Sequence, residues 1–185
     1  MKSNLLLIVL GLQTAWFVGM VTLQEFRLHT GTVVLLETMP VDPRDLLRGD
    51  YVTLNYKIST LPASLFQGTF TNKAAPGTPV FVSLARHGEF FEAERASFRP
   101  LDATKGGVVL MGRVSSRFWW NETPAANQTV RVDYGLEQFF VREGTGNPTG
   151  KVTVAVSVPS SGNAVIKQVY VGGKPYAEAM EHEAR

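Results

Sequence analysis

The sequence contains no cysteine among its 185 residues, and it has only three histidines, His29, His87 and His182. The absence of cysteine excludes disulfide bonds within the chain and every metal site that uses a thiolate ligand. The histidines are too far apart in sequence for the closely spaced pairs that are typical of zinc sites. We therefore expect no metal and no cofactor, and we interpret each histidine as an ordinary surface residue.

The chain also has no large excess of positive charge. Its 18 Lys and Arg residues nearly balance its 16 Asp and Glu residues, which leaves a net charge of +2 and no basic block. Nucleic-acid-binding domains need a basic patch or stripe, so we do not expect a nucleic-acid partner. The glycine pairs Gly106-Gly107 and Gly172-Gly173 are typical of hairpin turns rather than of phosphate-binding loops.

The N-terminal region contains the stretch Leu5–Leu23, which carries no charge. At ~1.5 Å per residue a helix of this length spans roughly 28 Å, close to the thickness of a bilayer core. A cleavable signal peptide needs a pair of small residues at its cleavage site, and none lies near Gly19–Gln24. We predict an uncleaved single-pass anchor over residues 1–27. Lys2 before the helix favours a cytoplasmic N-terminus in the inner membrane, with the remaining domain facing the periplasm or cell exterior.

Residues 28–176 show the alternation of apolar and polar side chains that is typical of half-buried strands. The prediction is a mainly β domain, an antiparallel sandwich or partly closed barrel of about eight strands. The predicted strands are 32–38, 51–58, 80–86, 90–98, 107–114, 128–134, 151–158 and 164–171. Strand 107–114 is expected to pair back across residues 102–106. One helical turn is predicted near 63–66, and residues 177–185 form a polar tail, either helical or frayed.

The segment from Thr38 to Asp50 is the richest in charged and turn-forming residues. Pro40 and Pro43 exclude regular structure there, and Gly49 is suited to a positive φ where the chain re-enters a strand. Two interpretations are open, a braced turn and an exposed docking loop. The residues of the candidate docking loop are Asp42, Arg44, Asp45, Arg48, Gly49, Asp50, Tyr51 and Tyr56.

Two separated motifs resemble one protein family. Gly49-Asp50-Tyr51-x-x-Leu54-x-Tyr56 and the later Tyr134-Gly135-Leu136-Glu137, followed by Phe140-Val141-Arg142-Glu143-Gly144, are similar to the signature segments of the GDYXXLXY family. The resemblance implies a bacterial membrane-anchored protein of unknown activity. Members often lie beside, or are joined to, multi-spanning membrane proteins, and such a protein is therefore the expected partner.

The second motif is expected to support the first. Gly135 would end a strand, and Leu136, Phe139 and Phe140 have the spacing of one or two helical turns, with Glu137 at their start. Charged groups are rarely buried alone, so we predict that Arg44 or Arg48 pairs with Glu137 or Glu143. Tyr134, Gly135, Glu137 and Glu143 are thus motif-supporting residues. Glu137 as a general acid or base remains an alternative, although no second carboxylate accompanies it.

The expected function is that of a membrane-anchored extracytoplasmic accessory or interaction domain. A membrane-tethered hydrolase that uses Thr38 or the Asp42–Asp50 turn is a second possibility, since Thr38-Met39 resembles the catalytic Ser-Met of signal peptidases. A hydroxyl nucleophile would need a neutral lysine as its base, and the candidates are Lys57, Lys73 and Lys105. A small-ligand-binding β domain is a third. In Phe118-Trp119-Trp120, strand geometry allows only one indole to point inward. The other would contact a partner or the membrane interface, or pack under the connection 59–79.

Overall fold

The computed structural model describes residues 2–39, 51–66, 75–115, 129–141 and 150–183. Its first element, α1, is the helix Lys2–Thr30. Among the described residues, α1 contains the one stretch long and apolar enough to cross a membrane, Leu6–Glu25, with a mean hydropathy of 2.0. A signal sequence near the N-terminus would meet the same criterion. The hydroxyls of Thr14 and Thr22 donate to carbonyls four residues earlier, so these two polar groups are paired within the helix.

The rest of the described chain is built mostly from short strands. In chain order they are β1 (Thr32–Glu37), β2 (Tyr51–Thr53), β3 (Thr60–Pro62), β4 (Pro79–His87), β5 (Phe90–Ser97), β6 (Val108–Val114), β7 (Thr129–Asp133), β8 (Gln138–Phe140), β9 (Val152–Val158), β10 (Val165–Val171) and β11 (Lys174–Pro175). Two 3₁₀ turns, Lys57–Ser59 and Ala63–Leu65, flank β3, and the helix α2 covers Tyr176–Glu183.

The strands form three antiparallel sheets. One has the order β1-β9-β10-β11, one is the two-stranded ribbon β2-β8, and one has the order β3-β7-β6-β4-β5. The five-stranded sheet curls, because Phe66 just beyond β3 makes a bridge to Ala96 of β5 at the opposite edge. The prediction of a mainly β, antiparallel domain after an N-terminal apolar helix is therefore confirmed, with more and shorter strands than expected.

The core lies between the sheets and is filled by side chains from each of them. Its fully buried members include Val34 and Leu36 of β1, Val154 and Val156 of β9, Val80, Val82 and Leu84 of β4, Leu110 of β6, and Val130 and Val132 of β7. These residues alternate along their strands, because successive side chains of a strand point to opposite faces. Each fully buried aliphatic side chain contributes roughly 1.5–3 kcal/mol relative to an exposed one, so the core stabilises the sheet arrangement.

Most of the predicted strands are observed with boundaries close to those expected. β1, β4, β5, β7, β9 and β10 confirm the predictions at 32–38, 80–86, 90–98, 128–134, 151–158 and 164–171. The turn between β4 and β5 contains Gly88 with a φ of +63°, a conformation that favours glycine. The predicted helical turn near 63–66 is present as the 3₁₀ turn Ala63–Leu65.

The prediction of a continuous strand over 51–58 was wrong. Regular pairing stops at Thr53, and a 3₁₀ turn begins at Lys57. The side-chain prediction for this segment is nevertheless confirmed, since Val52, Leu54, Tyr56 and Ile58 are all buried. Tyr56 itself has an extended backbone, with φ −87° and ψ 149°. An extended chain keeps the two-residue alternation even where no partner strand continues.

Two further predictions were wrong for reasons of strand pairing. Strand β6 pairs with β4 and β7, not with β5 across residues 102–106. The segment with helical spacing after Gly135 contains strand β8 instead, because its backbone pairs with β2. Three apolar residues at helical spacing are a weak signal when a neighbouring strand offers the same backbone groups an antiparallel partner.

Candidate functional site

The two motif segments lie side by side in the structure. β2 pairs with β8, with Tyr51 opposite Phe140, Val52 opposite Phe139 and Thr53 opposite Gln138. The pairing extends one step further through the backbone, because the N–H of Leu54 donates to the carbonyl of Glu137 at 2.8 Å. Segments some eighty residues apart in sequence therefore form one ribbon.

Two tyrosine hydroxyls connect the two motif segments, one from each segment. The hydroxyl of Tyr56, in the first motif, donates to the carbonyl of Leu136 in the second at 2.8 Å. The hydroxyl of Tyr134, in the second motif, donates to the carbonyl of Ile58, just after the first, at 2.7 Å. Burial raises the pKa of both phenols well above its usual value, and the charge of Glu137 raises both further. Both tyrosines therefore remain protonated donors throughout the pH range in which proteins are folded.

Glu137 stabilises a turn rather than a helix. Its carboxylate accepts a hydrogen bond from the backbone N–H of Tyr134, three residues earlier. The turn between these residues requires Gly135 to adopt a φ of +76°. A Cβ at Gly135 would meet no atom within 4 Å, so it is the backbone conformation and not a lack of space that favours glycine here. The carboxylate thus has a structural partner inside its own motif.

The described motif residues divide into an inner and an outer set. Leu54 and Tyr56 are buried, and Tyr56 has no exposed surface at all. Tyr51 is partly exposed, and Phe140 opposite it is 73 % exposed. Of the two tyrosines that the sequence placed in a docking loop, only Tyr51 reaches the surface; Tyr56 serves the interior.

The remaining predicted residues of the docking loop, Asp42, Arg44, Asp45, Arg48, Gly49 and Asp50, lie outside the described part of the chain, as does Glu143. The expected pairing of Arg44 or Arg48 with Glu137 or Glu143 therefore stays a prediction, and so does a positive φ at Gly49. The aromatic cluster Phe118-Trp119-Trp120 also lies outside the described residues. What the structure does reveal between the motifs is a junction of backbone pairing and tyrosine hydroxyls.

A cleft opens where the second motif meets the end of α1. It has a volume of about 390 Å³ and is lined by Gln24 and Leu28 of α1, Gly135, Leu136, Gln138, Phe139 and Phe140 of the second motif, and Ala164 to Lys167 of the β10 region. The C-terminal end of α1 and the motif ribbon are therefore neighbours. We refer to this space as the helix-end cleft.

An ion cluster at the far end of β1 was not anticipated from the sequence. Glu37 contacts Lys57 at 2.5 Å through one carboxylate oxygen and Lys151 at 2.6 Å through the other. The hydrogen bond from Lys151, and then that from Lys57, lowers the pKa of Glu37, and the hydrogen bond to Glu37 raises the pKa of Lys57. Lys151 also lies 4.7 Å from the centre of the Phe90 ring. No local spacing could have joined residues so far apart in sequence.

A groove of about 350 Å³ leads away from this cluster. Its lining is mostly apolar and includes Ile58, Leu61, Leu65, Phe91 and Ala93, with Glu37 and Lys57 at one end. It lies between β3 and β5, where the two edges of the curled sheet approach each other. We refer to it as the seam groove.

The geometry weighs against a hydroxyl–lysine hydrolase built on Thr38 and Lys57. The Thr38 hydroxyl donates to the carbonyl of Val152 at 2.7 Å, so it is engaged in structure. Lys57 would have to be neutral to act as a general base, but its bond to Glu37 holds it charged. No cluster of three or more potential metal ligands occurs among the described residues.

Comparison with known proteins agrees with the motif geometry. The family model for the GDYXXLXY protein matches residues 13–169, which is most of the chain. The chain belongs to the GDYXXLXY family. No curated protein and no solved structure gave a match, so the family assignment rests on this one result.

The described positions of the GDYXXLXY signature have distinct structural roles. Leu54 and Tyr56 are core residues, and Tyr56 fixes the second motif through its hydroxyl. Tyr51 begins β2 and faces outward beside Phe140. Among its described positions, the signature thus combines an internal brace, Leu54 and Tyr56, with the partly exposed Tyr51, which another molecule can reach.

Proposed function

We propose that this GDYXXLXY protein is a membrane-anchored accessory domain that binds a multi-spanning protein of the same membrane. The anchor is α1, which stays attached in the inner (cytoplasmic) membrane, and the β domain faces the periplasm or cell exterior. One observation carries the proposal. Along Leu6–Glu25 none of the helix is buried against the rest of the chain.

An unpacked apolar helix of this length needs an apolar surrounding. Its side chains include Leu6, Leu12, Trp16, Phe17 and Leu23, each more than half exposed. Exposing such a helix to water would cost on the order of 25 cal/mol for each Å² of apolar surface, so lipid or other helices must cover it. The domain itself covers none of it, and a bilayer with an integral membrane partner supplies both kinds of cover.

Lipid alone would satisfy the helix, so the partner needs its own test. α1 carries Gly11, Ala15 and Gly19 at four-residue intervals, and a Cβ at either glycine would meet nothing within 4 Å. Small residues at this spacing permit close approach of a second helix in a membrane. The stripe is therefore the place at which substitutions should separate partner binding from membrane insertion.

The experiment is cross-linking in intact cells followed by purification of the tagged full chain in mild detergent. Gly11→Leu/Gly19→Leu is compared with the control Val9→Leu/Val18→Leu, which also enlarges two apolar positions of the helix. We expect an integral membrane protein with several spans to be recovered with the wild type and the control and lost with the stripe variant. Recovery of the same protein with all three chains, or of none, would contradict a partner held through α1.

The placement of the domain has a separate measurement. Protease added to spheroplasts should digest the β domain, and the mass of the purified chain should include Leu5–Leu23. A mature protein that starts beyond residue 20 would show that the helix is a cleaved signal, and a domain protected from protease would reverse the orientation.

A second candidate function, binding of a small ligand, is favoured by the seam groove. Its apolar lining and its charged end at Glu37 and Lys57 suit an elongated amphiphile. Native mass spectrometry of the full chain should then detect a bound small molecule that Ala93→Trp, which fills the groove, excludes. An adduct that survives in Ala93→Trp, or no adduct with the wild type, would remove this candidate.

A further inference from the structure

The outer face of the β2-β8 ribbon carries an exposed aromatic pair. The rings of Tyr51 and Phe140 pack edge to face with their centroids 6.2 Å apart. Phe140 has the highest exposed fraction, 73 %, of the large hydrophobic side chains in the described residues, above even those of α1. Single exposed hydrophobic residues are common, so exposure alone decides nothing. The position of the pair relative to α1 indicates what the pair contacts.

Backbone pairing holds the pair at the surface. Tyr51 and Phe140 lie directly opposite each other in the ribbon, so they share its outer face. The next residue along β8, Phe139, points the other way and packs against the ring of Tyr176 at 5.4 Å. Rotation of Phe140 into the core would therefore displace Phe139 and break the register with β2. The register of β8 with β2 therefore keeps Phe140 on the outer face of the ribbon.

The depth of Phe140 follows from the helix-end cleft, which it lines together with Gln24 and Leu28. Gln24 lies at the end of the apolar span Leu6–Glu25. A helix rises ~1.5 Å per residue, so Leu28 lies about 6 Å beyond Gln24 along its axis. The headgroup region extends roughly 5–7 Å beyond the hydrocarbon core on each side. Phe140 is therefore at the level of the headgroups of any bilayer that α1 crosses.

The charge beside the pair has the sign that phospholipids attract. Lys167 is exposed and lines the same cleft, and a lysine close to a membrane surface is drawn to anionic headgroups. Aromatic rings with one polar and one apolar part concentrate at the membrane interface, and Tyr51 with Phe140 supplies both. The aromatic pair and Lys167 therefore lie at the same end of the domain, the end that adjoins α1.

We infer that Tyr51, Phe140 and Lys167 form a lipid-binding surface that rests on the phospholipid headgroups of the bilayer crossed by α1. Phe140 enters the headgroup layer, Tyr51 stays at its edge, and Lys167 faces a lipid phosphate. The contact holds the β domain in one orientation on the membrane. This inference depends on the anchor in the proposed function, but not on the membrane-protein partner.

The test uses the lack of cysteine in the chain, which makes single-site labelling straightforward. The full-length variant Phe140→Cys is labelled with an environment-sensitive nitrobenzoxadiazole dye and reconstituted into phosphatidylcholine vesicles containing phosphatidylglycerol and a lipid with a spin label on its headgroup. The matched control is Lys174→Cys. Lys174 is exposed and adjoins the opposite end of the sheet, where Val171 pairs with Val152, and β1 separates the two ends by about 17 Å.

We expect quenching by the headgroup spin label to be several-fold stronger at position 140 than at position 174. Removing phosphatidylglycerol, or adding Lys167→Gln, should weaken the quenching at position 140. Equal quenching at the two positions would overturn the inference. A second result would also overturn it: a dye at position 140 that is shielded from water, is not quenched by the spin label and stays shielded in detergent without lipid. Protein rather than lipid would then cover the site.

The same sample distinguishes this inference from the proposed anchor. If the labelled chain floats with the vesicles but position 140 is not quenched, the lipid-binding surface is wrong and the anchor stands. If the chain fails to float with the vesicles, the anchor itself is wrong, and the inference fails with it.

Discussion

Tyr56 and Leu136 are joined by a 2.8 Å hydrogen bond from the tyrosine hydroxyl to the leucine carbonyl, across eighty residues of sequence. Tyr56 has no exposed surface and Leu136 almost none, so water cannot replace this bond. A second bond, from Tyr134 to the carbonyl of Ile58, runs in the opposite direction between the same two segments. The two motifs of the family are therefore parts of one structural unit.

Tyr56→Phe should destabilise the domain by ~1–3 kcal/mol, because the substitution keeps the ring but leaves the buried Leu136 carbonyl without this donor. The control is Tyr51→Phe, at a partly exposed position of the same motif, where we expect a change within about 0.5 kcal/mol. Denaturation of the full chain in detergent, followed by near-UV circular dichroism, measures both. Equal losses in the two variants would contradict the brace.

The two tyrosine bonds should also depend on each other. Tyr134→Phe removes the reciprocal donor to Ile58, and the double variant with Tyr56→Phe completes a thermodynamic cycle. Because both bonds fix the same ribbon, we expect a coupling energy of about 0.5–3 kcal/mol, whereas independent sites would be additive. The same denaturation measurement on four chains gives the value. Additive losses would mean that each bond acts only locally.

The C-terminal helix gives a third prediction. The sequence predicted a polar tail that is either helical or frayed, and the helix α2 is observed there with Met180 buried. Met180→Ala should lower the free energy of unfolding by ~2–4 kcal/mol, since it removes a buried side chain and leaves a cavity. Glu178→Ala on the exposed face is the control and should change little. If both variants unfold alike, α2 does not pack stably on the domain.

The sequence predicted the elements whose pattern is local. The β-branched apolar run at 32–38 located β1, alternation of apolar and polar residues located β7, and turn residues between candidate strands located the hairpins β4–β5 and β9–β10. The same alternation marked Val52 to Ile58 as buried on one face even where the strand had ended. A helix was one of the two alternatives predicted for the C-terminal tail, but the burial of Tyr176 and Met180, which are four residues apart, was not predicted.

Pairing between distant segments could not be read in this way. No local sequence pattern shows that β6 pairs with β4, or that the residues after Gly135 pair with β2 rather than form a helix. The predicted link between the motifs, through arginines and glutamates, stays a prediction, because most of those residues lie outside the described part of the chain. The contacts that the structure describes between the motifs are tyrosine hydroxyls and backbone amides. A sequence shows which residues are charged, but burial in the fold decides which polar groups must be hydrogen-bonded.

The ion cluster at Glu37 gives the last prediction, a loss of stability in acid. Lys151 and Lys57 lower the pKa of Glu37 in the folded protein below the ordinary value of 4.5 that an unfolded chain would show. A group with a lowered folded pKa contributes stability that is present above the unfolded value and is lost as the pH falls through the folded one. The same bond raises the pKa of Lys57, so Lys57 stays charged to higher pH.

Glu37→Gln should therefore be less stable than the wild type at pH 7, and the difference should shrink as the pH falls below 4.5. The side chain of Glu37 is 16 % exposed but those of Lys57 and Lys151 are each 56 % exposed, so added salt should reduce the difference. Glu94→Gln is the control, because it removes an exposed carboxylate of β5 that is not among the groups acting on Glu37 or Lys57. Melting temperatures of the three chains between pH 3 and 7 provide the measurement. A difference between wild type and Glu37→Gln that persists unchanged at pH 3 would show that shape, not charge, fixes this residue.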